Sequence, residues 1–188
     1  MSWTSIFRNA ATDWRFANQS GIEITAGEAI NFGAGVNRIY LKHRTGFGLA
    51  RFDIPFAGAG VGVGFLPADV TTDLPSFPSY LGKIYRGLRP SVRGVLGGDL
   101  VEADFEGYCT MVCYSKGGFG LGMSTLLFFF GTAAPSHLSV VFGPVGSLMA
   151  LSVLLGVSRA FGMCSGFNRS ANPGMSVMVY NGFAKFMA

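Results

Sequence analysis

Residues 117–158 read GGFGLGMSTLLFFFGTAAPSHLSVVFGPVGSLMALSVLLGVS, 42 positions without an Asp, Glu, Lys or Arg, closed by Lys116 and Arg159. An unpaired charge taken out of water costs several kcal/mol, so a run this long without one suits a protein interior or lipid. His137 is its one titratable residue, and Ala133 to His137 divide it into two apolar arms, Gly117–Thr132 and Leu138–Ser158. A hairpin of these arms would place both flanking cations on one side, as a membrane-inserted helical pair requires. The first arm is glycine-rich, and its Thr125–Phe130 run favours strand. Pro144 interrupts the second, so one apolar helix is expected from Pro144 to about Phe161.

Working outward, the 188-residue chain is 49% hydrophobic and 13% charged, about half the charge of an ordinary soluble domain. That balance leans toward membrane association. A net charge of +4 suits an anionic surface and is thin for nucleic acid, which is excluded as a partner. Every carboxylate side chain lies at or before Glu106, so any Asp or Glu chemistry must come from the N-terminal part. Cys109, Cys113 and Cys164 match neither a disulfide framework nor a zinc site and read as free buried thiols. The N-terminus lacks a basic region followed by an apolar stretch, so the reading is cytoplasmic synthesis without a standard signal peptide and an unknown export route.

Trp3, Phe7, Ala10, Trp14 and Ala17 recur at helical spacing, and an amphipathic helix is expected over 2–17. From 21 to 66 the period changes to two, as in Ile22 and Ile24 against Glu23 and Thr25, which predicts an antiparallel meander. Gly58, Gly60, Gly62 and Gly64 leave one face of a strand bare and are expected to allow close packing of another backbone. A Pro-rich excursion over 67–98 follows, carrying the basic run Lys83, Arg86, Arg89 and Arg93, a candidate anionic-surface patch. Tyr108 to Tyr114 and Met175 to Met187 alternate like strands. The expected architecture is one domain of β-rich α+β class: an antiparallel Gly-rich or barrel-like sheet, the N-terminal amphipathic helix, and one apolar helix near 144–161 among strands over 107–188.

No triad, phosphate loop, cofactor box or metal pattern is legible, so no catalytic, cofactor or metal residue is assigned. The leading functional expectation is a non-enzymatic, membrane-associating or membrane-inserting protein, of which a pore-forming or membrane-perturbing effector is one kind. Trp3, Phe7, Trp14, Leu126, Phe129, Val153 and Leu154 are its membrane-contact candidates. Its expected partner is anionic lipid or a protein, and an oligomer is compatible with the sequence. The alternative is a soluble Gly-rich structural or partner-binding domain that buries 117–158. A third reading is a Cys–His hydrolase using Cys109 or Cys113 with His137.

Overall fold

The computed structural model describes residues 11–27, 29–46, 48–64, 68–73, 82–89, 99–117, 120–133, 153–169 and 174–187. Among these residues, nine strands form one antiparallel sheet: β1 (Ala11–Ala26), β2 (Ile30–His43), β3 (Leu49–Gly64), β4 (Ala68–Asp73), β5 (Lys83–Arg86), β6 (Gly107–Gly117), β7 (Gly122–Phe130), β8 (Ala160–Arg169) and β9 (Gly174–Met187). The meander β1–β2–β3 continues through β9 to β6, β7 and β8, and both β4 and β5 pair with β1 on one side and β8 on the other. The sheet therefore closes into a barrel in which two short strands, β4 and β5, share one position between β1 and β8.

Alternation fills the barrel interior. Trp14 and Phe16, Ile39 and Leu41, Phe52, Ile54 and Phe56, Met111, Phe128 and Phe130, and Met178 and Tyr180 point inward and are buried. At the end where β1 begins, a 3-10 turn (Glu102–Asp104) delivers Phe105 into this core, edge-on to Trp14, Phe52 and Phe130. Trp14 Nε1 donates to the Leu100 carbonyl at 2.7 Å, which seats the strap that closes this lower end.

The barrel bends tightly where glycines line its inner face. A Cβ on Gly58 would overlap the Val179 carbonyl oxygen of β9, and one on Gly60 would overlap the Val177 carbonyl. Only residues without a side chain let β3 coil this closely onto its neighbour. At the β1–β2 turn, Gly27 has φ 132°, a conformation that L side chains rarely adopt.

The mixed α+β expectation is overturned, because the described residues are nearly all antiparallel strand and hold no N-terminal amphipathic helix and no more than a short turn of the C-terminal one. Residues 11–17 belong to β1, with Thr12, Trp14 and Phe16 alternating against Asp13 and Arg15; residues 2–10 lie outside the described set. The helical spacing that ended at Trp14 and Ala17 competes here with pairing to β2 and β5, and the pairing wins. Of the expected 144–161 helix, 144–152 lie outside the described residues, only 153–157 are helical, and Ala160 and Phe161 open β8. The two apolar arms do not pair as a hairpin among the described residues: β7 lies between β6 and β8. Described parts of the Pro-rich excursion include β4 and β5, the strands that close the barrel.

Candidate functional site

Strands in a soluble barrel present apolar side chains inward and polar ones to water. Here the outer wall is apolar as well. Ile22 and Ile24 on β1, Phe32 and Val36 on β2, Tyr114 on β6, Met123 on β7, Met163 and Phe167 on β8, and Met175 and Phe183 on β9 are exposed. Long stretches of the strands carry no charge. Windows 29–37, 107–115 and 160–168 each hold nine residues without Asp, Glu, Lys or Arg, and 54–68, 117–158 and 170–184 are longer. On β1 the interruption is Glu23, which points inward and accepts a hydrogen bond from Tyr180. Nine residues at about 3.4 Å each, tilted by about 40°, make a band about 23 Å high.

Both margins of this belt carry charge, with Arg15, Arg38, Asp53 and Lys185 below and Lys116 and Arg169 above. Aromatic rings gather along the lower margin: Tyr85 stacks on Phe161 at 5.2 Å, and Tyr108 meets Phe183 edge-on at 5.6 Å. Asp53 is clamped there by two guanidinium groups, Arg38 Nε at 2.7 Å and Arg51 Nη2 at 2.9 Å. Hydrogen bonds from Arg38 and then Arg51 hold the Asp53 carboxyl well below its ordinary range. A depressed folded-state value means the cluster contributes stability above about pH 4 and loses it as acid protonates the carboxylate. The difference in melting temperature between wild type and Asp53→Asn should therefore be constant above about pH 5 and shrink below about pH 4. Equal differences at pH 3 and pH 7 would contradict this account of the cluster.

The lumen changes character along its axis. Its lower half is the aromatic core, whereas its upper half carries Gln19, Glu23, Asn37, Ser124, Asn168 and Tyr180. Cys164 Sγ donates to Gln19 Oε1 at 2.7 Å, and Asn168 Nδ2 donates to Ser124 Oγ. A cavity of about 20 Å³, about one water in size, is lined by Glu23, Asn37, Ser124 and Tyr180 among others. The sequence reading missed this polar section, whose members come from separate strands with no shared local motif.

The structure separates the sequence-derived candidates. Trp14 and Leu126 face the lumen and are buried; Phe129 faces outward and is covered by Leu154; Val153 is exposed. Trp3 and Phe7 lie outside the described residues, as do Arg93 and His137. Lys83 is exposed on β5 and Arg86 is half-buried, while Arg89 Nη1 donates to the Gly131 carbonyl at 2.7 Å. Gly58, Gly60 and Gly62 lie against β9, and Gly64 is paired with Gly174. Cys109, Cys113 and Cys164 are buried inside the wall and form no disulfide. Among the described residues, Asp13, His43 and Asp99 bring metal-ligating atoms within 4.8 Å of one another. His43 Nε2 already meets Asp99 Oδ2 at 2.7 Å and Arg44 lies 4.0 Å from Asp13, so this cluster accounts for itself as an anchor for the Asp99–Leu100 strap.

No family model, curated protein or solved structure matches this chain. The functional reading therefore rests on its own residues. No helix among the described residues is long and apolar enough to cross a membrane, which leaves crossing by strands as a separate question.

Proposed function

We propose that the protein is a membrane-embedded β-barrel, non-enzymatic, with a lumen closed to bulk flow. The observation that carries the proposal is the uncharged outer belt, with charge at its lower and upper margins on the neighbouring strands. Its height of about 23 Å approximates the apolar band of strand-spanning barrels, and aromatic residues at a margin are their usual interfacial anchors. Backbone polar groups along the full-length strands are paired in an antiparallel ladder, as a strand-crossing barrel requires. The aromatic layer from Trp14 to Phe130 fills the lower lumen, which favours an anchoring or scaffold role over an aqueous pore.

A soluble, partner-covered domain is the second reading. It is favoured by one place where the chain covers its own wall: Leu154, on the helical turn 153–157, packs on Phe129 beside Leu127, Val112 and Phe161. Flotation separates the two. Refolded protein mixed with phosphatidylcholine vesicles should rise with them through a density gradient and resist carbonate extraction. Recovery in the bottom fraction as a monodisperse, detergent-free species would eliminate the membrane reading.

A further inference from the structure

Pro55 cannot donate to the sheet, and the β3–β9 register passes from Asp53↔Lys185 to Phe56↔Gly182 across it. Pro55 and Ala57 present only a ring and a methyl on the outer face, so the outer wall is recessed at this point. The resulting groove is walled by Pro55, Tyr108, Asn181 and Phe183. Its rings are exposed and its floor is apolar, while Asn181 is occupied by a hydrogen bond from Thr110.

Below the groove on the same outward face stand Arg38, Lys42, Arg51 and Lys185, with Asp53 among them. Glu106, one residue before the Gly107↔Ala184 pair, is the nearest carboxylate on the β6 side. Beneath the groove, these four cations face two carboxylates, an excess of two positive charges. Arg38 and Arg51 each spend two of five N–H donors on Asp53, which fixes their planes and leaves donors for an oxyanion. An apolar groove ending at oriented guanidinium groups and an ammonium has the pattern of an anionic amphiphile.

We propose that this wall of β3, β9 and β6 binds one anionic phospholipid, its acyl chain along the groove and its phosphate between Lys185 and Arg51. The inference rests on the membrane reading and adds a specific lipid site to it. Basic pockets at a membrane margin recognise such headgroups, each cation contributing about fivefold in affinity.

The test uses full-length protein reconstituted in vesicles of dioleoyl-phosphatidylcholine, alone or with dioleoyl-phosphatidylglycerol, then extracted in mild detergent for native mass spectrometry. Wild type should retain one phosphatidylglycerol in preference to phosphatidylcholine. The double variant Lys185→Gln, Arg51→Gln should retain it about thirtyfold more weakly while still entering phosphatidylcholine vesicles. Ala57→Trp, which fills the groove and leaves the charges, should also release the lipid. Vesicle entry without headgroup preference, or full retention by both variants, overturns the site and leaves the membrane reading standing. Failure of wild type to enter either vesicle overturns both.

Discussion

Phe32→Arg is expected to abolish vesicle incorporation and to lower stability in lipid by about 2–4 kcal/mol. Phe32 is near the centre of the uncharged window 29–37, faces outward between Ala26 and Ala59, and is 64% exposed. In water that position is a solvent-facing strand site, where a substitution touching nothing usually changes stability by no more than about 0.5 kcal/mol. In lipid the same guanidinium must snorkel or drag water inward. One substitution thus has opposite consequences in the two media, which a buried site cannot provide. Leu126→Asp illustrates the contrast, since Leu126 points inward between Cys113 and Cys164 and an acid there leaves an unpaired buried charge in either medium. Urea unfolding of Phe32→Arg, with flotation in parallel, is the measurement. Unchanged flotation together with wild-type stability would refute the lipid-facing assignment.

The sequence made some of this visible and hid the rest for identifiable reasons. Period two at Ile22–Thr25, Arg51–Phe56 and Tyr108–Tyr114 is legible because polar and apolar residues alternate there. At the N-terminus, Trp14 belongs to a helical stripe that includes Trp3 and Phe7 and to the strand series Thr12, Trp14, Phe16. Local spacing cannot choose between them, and the choice is made by pairing with β2 and β5, which is tertiary. β4 and β5 are short segments in a proline-rich stretch, and their pairing depends on the slot between β1 and β8. The long uncharged run signals exclusion from water without naming the shelter, since β7 places Leu126, Phe128 and Phe130 inside and Leu127 and Phe129 outside. Glu23 and Tyr180 meet across 157 positions of sequence, and the cations beneath the groove come from β2, β3 and β9, so neither grouping has a local signature.

Gly60→Val is expected to prevent formation of the barrel, with a loss of about 3–5 kcal/mol or more, a large share of a typical stability of about 5–15 kcal/mol. The first added carbon would overlap the Val177 carbonyl oxygen and come within 2.7 Å of the Met178 Cα, both backbone atoms of β9. Relief needs β3 and β9 to separate, and these strands are hydrogen-bonded neighbours from Arg51↔Met187 to Gly64↔Gly174. Because β9 also carries β6, displacement at Gly60 would propagate to the second meander. Gly166→Ala is the matching control: it too replaces an inward-facing strand glycine, but nothing lies within 4 Å of the new Cβ. The control should be neutral or slightly stabilising, because alanine restricts the unfolded chain more than glycine does. Circular dichroism and chemical unfolding of the pair separate close backbone approach from a general intolerance of side chains in the lumen. A folded, cooperative Gly60→Val protein would mean that the coiling of β3 onto β9 does not depend on its glycines.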